Sequence, residues 1–144
     1  MKISTKGRYA LRFLVDIAEN GGDKFVSLTE ISERQGISKK YLEQIIPALS
    51  KAGFLVTGRG FQGGYKLAKD LSEFTVGDVL RATEGSLAPV SCLEEGALCD
   101  REGECDTLFV WKGLMEVIED YLDDITIRDI MKRKKRQKED YVLL

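Results

Sequence analysis

Hydrophobic positions recur at helical spacing through the first half of the chain. Tyr9, Ala10, Phe13, Leu14, Ile17 and Ala18 mark one face of an amphipathic helix, and Asn20-Gly21-Gly22 stops it. Ser27-Leu28-Thr29-Glu30 is a capping box, in which hydroxyl and carboxylate each satisfy the other's free backbone N–H. A second helix therefore starts at Ser27, buries Leu28 and Ile31, and ends near Gln35-Gly36. Ser38 offers a cap hydroxyl for a third helix, along which Tyr41, Leu42, Ile45, Ile46 and Leu49 recur. Two short helices joined by a glycine-containing turn form a helix-turn-helix pattern. Pro47 removes one backbone donor and crowds the carbonyl of Glu43, which predicts a kink in the last turn or an early end. Ala52-Gly53 is the stop in either case.

Two short β-like runs follow, Phe54–Thr57 and Tyr65–Ala68, around the loop Gly58-Arg59-Gly60-Phe61-Gln62-Gly63-Gly64. A hairpin directly behind a helix-turn-helix predicts a winged helix. The loop is no phosphate-binding P-loop, because no Gly-Lys-Ser/Thr follows it. Its glycines let the backbone lie close to another surface, and Arg59 brings a planar fork for a phosphate or a base edge. In this architecture the first two turns of the third helix point into the DNA major groove. Lys39 and Lys40 suit phosphates or guanine, Gln44 suits bidentate pairing with adenine, and Ser38 can donate to a phosphate. Tyr41 either does the same or sits in the core. Glu43 accepts from a cytosine amine or repels the wrong bases, and so bears on site choice. The candidate DNA-binding set is Lys6, Ser38, Lys39, Lys40, Tyr41, Glu43, Gln44, Arg59, Gly60 and Gln62.

The second half carries different patterns. Thr75-Val76-Gly77-Asp78 resembles a capping box with Asp in the fourth place, and a short helix follows to Gly85. Beyond a loop marked by Pro89, a long helix capped by Asp106 is expected. Its Trp111, Met115, Ile118, Leu122 and Ile125 are spaced as a heptad seam, widened by Val110, Leu114, Val117 and Tyr121. One small domain cannot easily bury so wide a stripe, so a helix–helix homodimer is expected. Thr126-Ile127-Arg128-Asp129 starts one more short helix. The basic run Lys132–Arg136 then reads as a solvated helix end or a frayed tail.

Composition sharpens this picture. The 144 residues are 43% hydrophobic and 32% charged, the balance of a globular protein. No apolar run is long enough for a membrane span, and the first residues lack the apolar core of a signal peptide, so a cytoplasmic protein is expected. The net charge of −2 conceals a division: residues 1–69 hold 12 Lys and Arg against 6 Asp and Glu, and residues 70–144 hold 10 against 18. The first part has the sign of a polyanion binder. The chain contains no histidine, which excludes Ser-His and Cys-His catalysis and His-ligated metals.

All three cysteines, Cys92, Cys99 and Cys105, fall in one segment with the spacing C-x6-C-x5-C. Buried structural thiols fit its polar surroundings badly, and a structural disulfide fits the cytosol badly. A ligand cluster for a soft metal is the better reading. Zinc knuckles are tighter, whereas looser spacings on an irregular loop suit an iron–sulfur cluster. With three thiolates and no histidine, the fourth ligand is open among Asp100, Glu102, Glu104, Asp106, Glu43 and a group across the dimer.

Several stretches together resemble one family. These are MKISTKGRYALR, YLEQII, KAGFLVTGRGFQGGYKLA, TVGDVLRATEG and the cysteine triplet before a long helix. They are similar to the IscR-type winged-helix transcription regulators, over residues 1 to about 130. The resemblance implies a homodimer on double-stranded DNA at a palindrome-like operator, and no enzymatic activity. It implies that Cys92, Cys99 and Cys105 hold an iron–sulfur cluster, [2Fe-2S] rather than [4Fe-4S], with the cluster-assembly machinery as a further partner and its genes as targets. In the cluster-binding branch a histidine after the third cysteine completes the site; here Asp106-Thr107-Leu108 follows. The nitric-oxide-responsive and cysteine-metabolism branches (the NsrR and CymR kinds) are the alternative. The expected fold is mainly α with a small β-hairpin: a winged helix-turn-helix DNA-binding domain over 1–69, the cluster loop and dimerisation helices over 70–131, and a basic C-terminal tail over 132–144.

Overall fold

A computed structural model describes residues 2–142. Six helices and one hairpin follow in the order α1 (Thr5–Asn20), α2 (Leu28–Gln35), α3 (Lys39–Lys51), β1 (Leu55–Gly58), β2 (Gly64–Leu67), α4 (Val76–Glu84), α5 (Leu108–Asp123) and α6 (Ile127–Val142). Short 3-10 turns lie at Leu71–Glu73 and Ser91–Leu93. The expected class, mainly helical with one small hairpin, is the one observed. Among the described residues no helix is long and apolar enough to cross a membrane.

Local signals set the helix starts. Ser27 caps α2 with both halves of the capping box formed, and Thr75 with Asp78 does the same for α4. Ser38 caps α3 by accepting from the N–H of Tyr41 at 3.1 Å. Helix α3 runs through Pro47 to Lys51, so the proline does not end it. The α5 cap differs from expectation: the helix starts at Leu108 behind Thr107, and no side chain caps it.

The core gathers Ala10, Phe13, Leu14 and Ile17 of α1, Ile31 of α2, and Leu42, Ile45 and Leu49 of α3, closed by Phe54 and Leu55. It extends past residue 69, because Phe74, Val79 and Ile127 belong to the same cluster. The basic run expected as a tail is the outer part of α6, the solvated-helix alternative. Helix α6 is docked by its buried Ile127 and by two ion pairs, Arg128 to Asp70 at 2.6 Å and Lys134 to Glu19 at 2.7 Å. Backbone and hydroxyl hydrogen bonds from Ser72, and then Arg128, hold the Asp70 carboxyl well below the usual carboxylate range.

Three polar devices fix the packing. Asp16 is buried in α1 and accepts from Arg34 Nη2 at 2.7 Å, from Arg34 Nε at 3.1 Å, and from Gln35 Nε2 at 2.8 Å, which joins α1 to the end of α2. Glu84, the last residue of α4, reaches the start of α1. Its Oε1 accepts from the Ser4 N–H at 3.0 Å, the Ser4 hydroxyl at 2.6 Å and the Gly7 N–H at 3.1 Å. It supplies the N-terminal cap that Ser4's own side chain does not. Arg81 makes a bidentate pair with Asp123, at 2.7 and 2.8 Å, that ties α4 to α5. Gly77 permits this approach, since a Cβ there would lie 1.9 Å from Asp123 Oδ1.

Candidate nucleic-acid interface and cysteine segment

The third helix divides its side chains as a recognition helix must. Leu42, Ile45 and Leu49 face the core, while Lys39, Lys40, Glu43 and Gln44 are exposed on its first two turns beside the exposed Ser38. Tyr41 is half-buried. Its ring packs edge-on to Tyr9 at 5.3 Å between centroids, and the Arg12 guanidinium stands 5.2 Å over the other face of this pair, on Tyr9. Tyr41 is thus mainly a packing residue, with one edge left outside. Lys6 lies half-exposed in the first turn of α1.

The wing is anchored rather than free. Strands β1 and β2 pair antiparallel from Leu55↔Leu67 to Gly58↔Gly64. Val26, just before α2, adds two bonds to Tyr65, both 2.8 Å, and Lys66 stands 4.9 Å over the Phe25 ring. Gly64 makes this possible: its φ is +144°, and a Cβ would lie 2.2 Å from the Val26 carbonyl oxygen. Arg59, Gly60 and Gln62 are exposed at the far end. The candidate residues of α3 and the wing thus stand on rigid supports, outside a packed core.

The cysteine segment is built differently. Cys92 lies in the Ser91–Leu93 turn, Cys99 on an open stretch, and Cys105 just ahead of α5; all three thiols are free. Cys92 and Cys99 are exposed and Cys105 is half-buried. A hydrogen bond with the Thr107 hydroxyl, 3.6 Å from Sγ, pulls the Cys105 thiol below its ordinary pKa and favours thiolate. Asp100, Glu102, Glu104 and Asp106 are exposed along the same stretch. Among the described residues no three Cys, Asp or Glu side chains are gathered at metal-binding spacing.

No residue of α5 is buried. The end of the predicted heptad seam is covered within the chain: Leu122 and Ile125 pack on Val76, Leu80 and Leu87. The positions left bare are Val110, Leu114, Val117 and Tyr121, which repeat at spacings of 4, 3 and 4, together with Phe109 at 75% exposure.

Three features of this arrangement escaped sequence reasoning. Asp16 had a visible signal, a carboxylate set among the apolar positions of α1. Glu84 had none, because its partners lie 77 and 80 residues away. Phe61, fully exposed on the wing, passed unremarked within a loop read for its glycines and its arginine.

Comparison with known proteins places this geometry. The chain is 42% identical over 132 residues to protein rrf2 of Nitratidesulfovibrio vulgaris, covering 92% of this chain and 88% of that protein. The solved IscR of T. potens is 40% identical with a TM-score of 0.73, covering 93% of this chain and 88% of that one. CymR, the global cysteine regulator of B. subtilis, is 34% identical with a TM-score of 0.75, covering 92% and 98%. The Rrf2 family, described as iron-dependent transcriptional regulator, matches residues 3–133, from just ahead of α1 through the wing, the cysteine segment and α5 into α6. The winged helix is accordingly that of a DNA-binding transcription regulator and not of an enzyme, and the chain belongs to the Rrf2 family.

Proposed function

We propose that the protein is a cytoplasmic, homodimeric regulator whose hold on DNA depends on an iron–sulfur cluster, acting on promoters of cluster-biogenesis genes. The observation that carries this reading is the set of three free thiols on one exposed segment between the DNA-binding half and the bare face of α5. The donor chemistry fits such a group: soft thiolates, one already favoured by Thr107, with four carboxylates interspersed. Cys92, Cys99 and Cys105 are the ligands, with a fourth from Asp100, Glu102, Glu104, Asp106 or the partner subunit. The smaller [2Fe-2S] form suits the family's cluster-binding branch. When bound, the cluster supplies thiolate–iron bonds that oxidation or iron shortage can break. The segment's own task is to be ordered in one state and loose in the other, which shifts the population of the DNA-competent dimer.

On the DNA, each protomer occupies a half-site, the two half-sites separated by about one helical turn, roughly 34 Å, or a multiple of it. Lys6, Lys39, Lys40 and Arg59 meet phosphates, Ser38 and Tyr41 steady the helix, Gln44 reads a base, and Gly60 and Gln62 bring the wing backbone close. Glu43 penalises unsuitable bases, so Glu43→Ala relaxes site preference while retaining affinity. The bare α5 seam pairs with its copy in the partner.

Anaerobic purification followed by visible spectra and iron and acid-labile sulfide assays tests the reading. Coloured protein is expected, with colour lost on alanine substitution of any of the three cysteines and operator affinity changed between filled and emptied forms. Equal affinity in both forms would refute it. The likeness to CymR favours one second reading, a thiol- or partner-protein-regulated repressor of cysteine metabolism, for which the anaerobic protein would be colourless and free of iron.

A further inference from the structure

The turn at the end of the wing is closed and well defined. The Gly63 N–H donates to the Gly60 carbonyl at 3.0 Å, which makes Gly60-Phe61-Gln62-Gly63 a β-turn with Phe61 and Gln62 at its two central positions. Gly60 takes φ +89°, and a Cβ on Gly63 would lie 2.5 Å from the Gly58 carbonyl oxygen, so both glycines are needed to close it. Central turn residues project away from the strands. Phe61 is therefore held out at the extreme end of the wing with its whole ring in water.

Nothing in the fold requires a phenylalanine there. The turn gains no packing from the ring, and an aromatic side chain left wholly in water forgoes the gain of burial. The neighbours indicate what covers it. Arg59, exposed just ahead of this turn, carries the charge that a narrow minor groove attracts. Phe61 and Gln62 also border a recess lined by Lys24, Phe25, Ser27, Thr29 and the capping-box Glu30 where α2 begins, on the side where a helix-turn-helix meets the DNA backbone. An apolar ring beside a cation, on a rigid support flanking a recognition helix, has the make-up of a side chain that wedges between base pairs from the minor groove.

We propose that Phe61 is such a wedge: it enters the minor groove beside the half-site read by α3, partly unstacks one base step, and adds preference for a flexible pyrimidine–purine step there. The inference rests on the DNA-binding reading of α3 and the wing, and deepens it. Its cause of specificity is deformability, distinct from hydrogen bonding by Gln44 or repulsion by Glu43.

The experiment uses the full-length protein and a duplex operator selected from a random-sequence pool. 2-Aminopurine is placed in turn at each position flanking the half-sites. Wild-type protein is expected to raise fluorescence at one step on each side, the mark of lost stacking. Phe61→Ala is expected to abolish that rise and weaken binding about tenfold, and Phe61→Leu to restore most of both. Flat fluorescence at every flanking position with intact binding overturns the wedge alone, as does Phe61→Ala behaving like wild type. A wild-type protein that selects no duplex overturns the DNA-binding reading and the wedge together. The side chain makes no contact within the fold, so these variants keep the wild-type melting temperature.

Discussion

The two halves of this molecule reach order by different means. Around α1, α2 and α3 the inward-facing apolar positions are buried, and the buried Asp16 is fully partnered. From Ser91 through α5 the opposite holds: no residue of the helix is buried, Leu98 is as exposed as a free side chain, and three thiols stand apart. The first region is shaped mainly by its own packed core, completed by Phe74, Val79 and Ile127 from beyond it and by the Glu84 cap. The second leaves three free thiols and the apolar stripe of α5 uncovered. The part with little internal packing is the one whose order an outside partner can change.

The contrast can be broken or sharpened by substitution. The largest effect on stability is expected inside the first region. Phe13→Ala should cost about 4 kcal/mol and leave the winged helix largely unfolded near physiological temperature, as judged by chemical denaturation. Asp16→Ala, which strands the Arg34 guanidinium and Gln35 amide, should cost about 2 kcal/mol by the same measurement, discounted because Arg34 is partly solvated. Removing the remote cap by Glu84→Ala should cost about 1 kcal/mol, and hydrogen exchange should rise at the first turn of α1 and nowhere else in that helix.

The boundary between the regions has its own pH signature. The Arg81 hydrogen bonds hold the Asp123 carboxyl below its ordinary value. A depressed carboxylate contributes stability that is present above its unfolded pKa and is lost as pH falls through the folded one. The melting temperature of Asp123→Asn should therefore lie below wild type at neutral pH and converge with it in acid. A gap that persists unchanged at low pH would show that Asp123 acts by packing. The smallest effect on the folded monomer is expected in the second region. Val117→Lys should change the stability of dilute monomer by no more than about 0.5 kcal/mol, yet abolish self-association in sedimentation. A large loss of monomer stability would erase the distinction between the halves.

What the sequence disclosed follows the range of the forces involved. Capping boxes act over three residues, so Ser27 with Glu30 and Thr75 with Asp78 were legible and placed α2 and α4 correctly. Helical periodicity likewise exposed the inner face of α3 and the wide apolar stripe of α5, although the seam expected at Trp111, Met115 and Ile118 is half-buried and the flanking positions are the bare ones. The length of α6 was hidden, because Lys132–Arg136 has the composition of a solvated tail; the contacts that dock the helix reach Asp70 and Glu19, 58 and 115 residues away. Tyr41 stayed ambiguous until Tyr9 supplied its packing partner. The cysteine spacing reads as a donor set, yet among the described residues those side chains are not gathered at metal-binding spacing. The apolar stripe of α5 could be recognised from periodicity, while its bare register, Val110–Leu114–Val117–Tyr121, emerges only with the packing of Leu122 and Ile125.

The double backbone bond between Val26 and Tyr65 has a practical result. It pins the hairpin, right beside its loop, to the segment that precedes α2, so how far the loop extends is decided by the five residues between Gly58 and Gly64. Lengthening or shortening that arch would alter how far the wing reaches without moving α3, which makes it an adjustable part on an otherwise fixed frame.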